Sequence, residues 1–185
     1  MASPHFHVIT DWNLNAPRDK VWPVLFAAEQ WPSWWRALKR VELVADGDES
    51  GVGAVRRMTW STLPWSTLPW SSLPLPNRRL DQKLPLSLTL DMRITRVEPM
   101  RRIEGEADGA LTGHARWDIW PDGPRTRVRY DWIAEVMEPR LRALAPLMRQ
   151  AFIWQHNRIM ASGFKGLVAA LALAKGKAQP ARTIR

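Results

Sequence analysis

Between Leu84 and Met137 the chain alternates apolar and polar residues with a period of two, and turn sequences interrupt the alternation at short intervals. Leu86, Leu88, Leu90, Met92 and Ile94 fall on one side of the first run, with Ser87, Thr89, Asp91, Arg93 and Thr95 on the other. Successive side chains of an extended chain point to opposite faces, so this run predicts a strand with one buried face. Arg101 to Ala107, Leu111 to Trp120 and Thr126 to Met137 follow, separated by Asp108-Gly109 and by Pro121-Asp122-Gly123-Pro124. Both separators are turn-formers, and successive antiparallel hairpins result. In the last run Val128, Tyr130, Trp132, Ala134 and Val136 oppose Arg127, Arg129, Asp131 and Glu135, so one face is buried and the other wet.

The flanks complete the pattern. His5 to Asn15 alternates as a first strand, with Phe6, Val8, Thr10, Trp12 and Leu14 on one face. Pro17 opens a helix that the spacing of Val21, Trp22, Leu25 and Phe26 carries to Ala28, and a second short helix spans Glu29 to Leu38. Lys39 to Ala45 and Gly53 to Trp60 read as a hairpin closed over the turn cluster Asp46 to Gly51. The chain ends in a helical block from Pro139 to about Lys175, which Pro146 divides into a short and a long piece. On the long piece Met148, Phe152, Ile159, Gly163, Leu167 and Ala170 share a face that must pack on the sheet. Six or seven antiparallel strands curled round one long helix enclose a volume that the helix alone does not fill, so a cavity is expected.

Trp60 to Pro74 reads Trp-Ser-Thr-Leu-Pro, Trp-Ser-Thr-Leu-Pro, Trp-Ser-Ser-Leu-Pro. Three prolines at that spacing exclude a helix and remove donors from any central strand, so 61–83 is expected as an extended loop or an irregular hairpin extension. One account is a duplication tolerated at the surface; the other is a lid or a membrane contact, where Trp is favoured.

The length of 185 residues suits a single domain, here 1–175 followed by a basic tail at 176–185. With no cysteine there is no disulfide framework, thiolate metal site or cysteine nucleophile. The first fifteen residues lack a signal-peptide core and the longest apolar run, Leu167 to Ala174, is too short for a membrane span, so a cytoplasmic protein is expected. The formal charge is +9, with arginine pairs at Arg56-Arg57, Arg78-Arg79 and Arg101-Arg102, and no single segment concentrates the cations. They read as a solvated basic surface. No helix-turn-helix, zinc or RNP-type motif supports nucleic-acid binding. Phosphate loops, a dinucleotide fingerprint and a nucleophile elbow are also missing, so no cofactor is expected. The histidines do not have ligand spacing, and no metal site is expected.

The order strand, two short helices, antiparallel strands, long C-terminal helix resembles the START-like or SRPBCC superfamily, and within it the bacterial polyketide cyclase/dehydrase group. Ala16-Pro17-Arg18-Asp19-Lys20-Val21-Trp22, Trp31-Pro32-Ser33-Trp34-Trp35, Gly51-Val52-Gly53, Gly109-Ala110-Leu111-Thr112-Gly113 with Trp117, and Trp154-Gln155-His156-Asn157 carry the likeness, which covers about 5–172. The resemblance implies an α+β helix-grip fold. It also implies a pocket between sheet and last helix for a lipid, sterol or polyketide-like molecule, with catalysis in some members only.

Candidate site residues follow from the inward faces. Trp12, Trp34, Trp35, Leu88, Leu90, Trp117, Trp132, Phe152 and Ile159 should border an apolar ligand; twelve tryptophans in one chain suit a ring-containing one, or else a tryptophan-filled core. His156, near the apolar face of the last helix, and Tyr130, the single tyrosine, are the candidates for chemistry: a base or hydrogen-bond donor, and a group that orients a ligand oxygen. A satisfied boundary histidine and a packed tyrosine are the structural alternatives.

Overall fold

The computed structural model describes residues 5–61, 87–109, 111–137 and 139–177. Seven strands form one antiparallel sheet: β1 His5–Leu14, β2 Leu38–Ala45, β3 Val55–Ser61, β4 Ser87–Glu98, β5 Arg102–Gly109, β6 Leu111–Asp122 and β7 Arg125–Val136. Their spatial order is β1-β7-β6-β5-β4-β3-β2. Six strands thus form a meander and β1 returns to the far edge beside β7. The helices α1 Arg18–Phe26 and α2 Trp31–Trp34 carry the chain from one edge to the other, and α3 Pro139–Lys177 lies along the concave face. This is the expected helix-grip arrangement.

The alternation is obeyed closely. Phe6, Val8, Trp12 and Leu14 of β1 are buried, as are Val128, Trp132 and Ala134 of β7, and the register Trp12 to Val128 and Val8 to Trp132 puts the two sets side by side. Curling needs strands that approach one another closely. At Gly113 a Cβ would stand 2.0 Å from the carbonyl oxygen of Ile133, so only glycine fits where β6 meets β7.

Three expectations change. The second helix is not a continuous Glu29–Leu38 element but a 3-10 turn, Ala28–Gln30, followed by the single turn of α2. Trp35 ends it in an extended conformation, φ −100° and ψ 90°, because its ring is drawn across to α3, where Nε1 donates to the Ile159 carbonyl at 2.9 Å. Pro146 does not divide the last helix: α3 is one element of 39 residues. A proline inside a helix removes only one backbone hydrogen bond, and the others carry the element through. Finally, the buried stripe of α3 is centred on Met160, Gly163, Leu167 and Leu171, so two of its deepest residues, Met160 and Leu171, were not in the expected face. The Trp60 to Pro74 repeat, except Trp60 and Ser61, and the tail from 178 lie outside the described residues, so the expected loop, its role and the tail have no structural counterpart here.

The corner between α1 and α2 satisfies its own polar groups. Trp31 Nε1 donates to the carbonyls of Leu25 at 3.1 Å and Val24 at 3.3 Å, which covers carbonyls left open at the end of α1. Thr126 donates from its buried hydroxyl to the Ala16 carbonyl at 2.7 Å and so ties β7 to the start of α1.

Candidate functional site

The interior between α3 and the sheet has two ends. At the α1/α2 end it is filled by aromatic rings. Trp12 lies 5.3 Å from Trp117, 5.8 Å from Trp35 and 6.1 Å from Phe164, centroid to centroid, and Trp35 lies 5.1 Å from Trp60 and 5.5 Å from Trp31. Trp35 retains 1% of its surface. Gly163 lets α3 come down on this cluster, since a Cβ there would sit 2.5 Å from the Trp35 ring. Of the expected ligand-binding set, then, Trp12, Trp35 and Trp117 belong to a packed tryptophan core. Trp34 stacks on Trp35 at 5.6 Å and is half-buried, and its ring nitrogen has no hydrogen-bond partner.

Towards the other end the lining changes. The inward positions of β5 and β6 become small: Gly105 opposite Ala115, and Ala107 opposite Gly113. Around this floor stand Tyr130, Phe152 and His156, with Leu88, Met92 and Ile94 from β4; all are partly buried and pack against the core. Phe152 stacks on Phe6 at 4.3 Å, Leu90 and Trp132 are buried, and Ile159 is half-buried one turn beyond His156. The structure therefore assembles Tyr130, Trp132, Phe152 and His156, which the sequence places on separate elements, and adds Thr10, Met92 and Ile94. Thr10 was legible as an inward position of β1 but its partner was not.

Tyr130 is the hub. Its ring lies 4.4 Å from that of Trp117 and 6.1 Å from the nearly parallel imidazole of His156, whose Nε2 is 3.4 Å from the Thr10 hydroxyl. Burial pushes the His156 pKa down to about 4, and burial, reinforced by Asp131, raises that of Tyr130. Both groups are neutral at neutral pH. Among the described residues, none hydrogen-bonds the Tyr130 hydroxyl. The arrangement can therefore offer a neutral donor and an imidazole to an oxygen atom, within walls that are otherwise apolar.

The outer face of the same strands carries charge. Asp118, on the outer face of β6, is 4% exposed because arginines cover it: Arg102 Nε donates to it at 2.6 Å and Arg116 Nε stands 2.9 Å away. The Arg116 contact is ionic in geometry, since that nitrogen makes no hydrogen bond. Arg116 continues to Asp131 at 3.0 Å, and Asp131 to His7 at 2.8 Å. This ladder crosses β5, β6, β7 and β1. His7 and His114 thus belong to the outer face, and no group of residues suited to a metal ion occurs among the described residues.

A curved seven-stranded antiparallel sheet closed on a long C-terminal helix defines a START-like protein. Solved structures share the fold. TTHA0849 from Thermus thermophilus is 16% identical with a TM-score of 0.67, over 91% of this chain and 99% of that one. A START superfamily protein from Mycobacterium smegmatis gives 16% and 0.66 over 91% and 99%. The Zhui aromatase/cyclase from Streptomyces gives 14% and 0.64 over 98% and 100%. No curated protein matches the sequence. Residues 5–172 match the family described as polyketide cyclase / dehydrase and lipid transport, and the chain belongs to that family.

Proposed function

We propose that the protein binds or carries a neutral, apolar small molecule, lipid-, sterol- or polyketide-like, in a cavity beside Tyr130, Phe152 and His156. The observation that carries this reading is the pairing of apolar walls with polar groups held neutral. Tyr130 is enclosed enough for burial to raise its pKa, yet it keeps part of its surface accessible and none of the described residues hydrogen-bonds its hydroxyl, as for a group facing a void. Its hydroxyl would donate to a ligand oxygen, with His156 and Thr10 beside it. Trp132, Leu88, Leu90 and Ile159 would complete the contact, while Trp12, Trp34, Trp35 and Trp117 would shape its inner end.

The second reading is a cyclase or dehydrase, favoured by the family description and by the aromatase/cyclase named among the similar structures. The imidazole argues for the first. A general base works best with a pKa near the working pH, and one held at about 4 is a weak one.

Native mass spectrometry of the protein as purified from its host, followed by extraction of any bound molecule, tests the cavity. A stoichiometric lipid or polyketide supports it; an empty protein with no thermal shift across sterols, fatty acids and aromatic polyketides removes it. His156→Gln separates the two readings. A carrier keeps its fold and loses about five- to tenfold in affinity, as one hydrogen bond is worth, whereas an enzyme keeps binding and loses about 100-fold or more in turnover.

A further inference from the structure

The cations are spread along the chain but the acids are not. Residues 139–185 hold nine of the 27 Lys and Arg and none of the 18 Asp and Glu, so the first 138 residues carry 18 of each and are neutral. The whole formal charge of +9 therefore sits on α3 and the segment after it, which corrects the reading of a basic surface without concentration. Several arginines of the sheet are matched: Arg57 with Asp91, Arg102 with Asp118, Arg116 with Asp131 and Arg129 with Asp11. On α3, Arg149, Arg158 and Lys165 are exposed and pair with no carboxylate among the described residues.

The helix is amphipathic twice over. At about 100° per residue, Arg158, Lys165 and Ala172 lie opposite the stripe of Met160, Gly163, Leu167 and Leu171 that packs inward, with Val168 and Leu173 on the two flanks of that outer face. Val168 is 43% exposed and Leu173 70%. The Arg158 guanidinium lies over the Trp154 ring, 4.9 Å from its centroid. An exposed helix face that combines aliphatic side chains with cations and has no acid matches an interfacial helix on anionic lipid.

We propose that the outer face of α3 docks on an anionic membrane surface, with Arg158 and Lys165 lying among the lipid phosphates and Val168 and Leu173, on either side of them, entering the headgroup boundary. A nucleic acid would satisfy the charge but gives an exposed leucine nothing to enter, so lipid is the better match. His156 and Phe152 lie on the inner side of this helix, so docking would bring the interior to within one helix diameter of the bilayer. The docking itself does not depend on what the interior holds.

The test is co-sedimentation of the full chain with phosphatidylcholine vesicles, with and without phosphatidylglycerol, at low and high salt. Binding is expected only with phosphatidylglycerol and should weaken as salt rises. Each cation lost should cost about fivefold in affinity, so Arg158→Glu with Lys165→Glu should lose about 25-fold or more, Leu173→Asp should also weaken binding, and Lys165→Arg should retain it. Circular dichroism checks that each variant is folded. Equal binding to both vesicles, no binding to anionic vesicles at low salt, or binding indifferent to these substitutions would overturn the proposal. So would preferential capture by duplex DNA or RNA that Leu173→Asp leaves unchanged.

Discussion

Trp35 fixes the angle at which the last helix meets the sheet, and it does so through two residues of α3 that the sequence does not connect to it. Its ring occupies the space a Gly163 side chain would fill, and its Nε1 bonds the carbonyl of Ile159. Gly163→Ala should therefore destabilise by about 2–3 kcal/mol in urea denaturation, since overpacking and a lost hydrogen bond outweigh the gain of roughly 1 kcal/mol in helix propensity. Gly166→Ala should be worse, because its Cβ would meet the Trp34 backbone oxygen at 1.7 Å and backbone cannot yield as a ring can. His156 makes a prediction in pH. Its folded pKa of about 4 lies below the ordinary 6.5, so between those values the unfolded chain takes up a proton that the folded protein refuses. Stability is then complete above pH 6.5 and falls towards pH 4 by roughly 3 kcal/mol, and His156→Phe should flatten that slope in denaturation midpoints measured across the window. Asp11 and Asp91, whose pKa values are lowered first of all by hydrogen bonds from Arg129 and Arg57, contribute their stability above the ordinary 3.8 and lose it only below the window.

At the scale of elements, the sheet is held on both faces by different means. Inward it buries tryptophans and aliphatic residues, while outward a ladder of alternating charge runs from Arg102 through Asp118, Arg116 and Asp131 to His7. Asp118 is the member with most to lose, since it is buried while its arginines remain partly wet. Asp118→Asn should cost about 1–3 kcal/mol, below the value for a fully buried pair because solvent screens the arginines left behind. A thermal melt equal to the parent's would show that the ladder is a solvated ornament of the surface. The strands were legible because their period, turn residues and inward sets all agree. The second helix was not, because its length was decided by Trp35 turning away to α3. Alternation along Leu111 to Trp120 puts Asp118 opposite Trp117 and Ile119, but it cannot show that two arginines from β5 and β6 close over it.

For the whole molecule, the interior is graded from a tryptophan-filled end to one floored by glycine and alanine, and the last helix borders both. If the end beside Tyr130 takes a ligand, saturation at about a hundredfold over Kd adds roughly 2.7 kcal/mol, which for a chain of this size raises Tm by about 5–10 °C. A melt that no lipid, sterol or polyketide shifts would leave the grip as a core and nothing more. The sequence by itself determined the strands, their succession as hairpins and their inward faces, because periodicity and turn chemistry are local and each run of residues carries its own, and the order of these elements carried the resemblance to the helix-grip class. The sequence also placed His156 and Tyr130 on inward faces. Tertiary structure alone decided that these two stack, that Thr10 joins them, and that Trp12, Trp35 and Trp117 fill one end of the interior. Such distances depend on how the curled sheet and α3 meet, and that meeting is set by contacts such as Trp35 on Gly163, between residues more than a hundred positions apart in the chain.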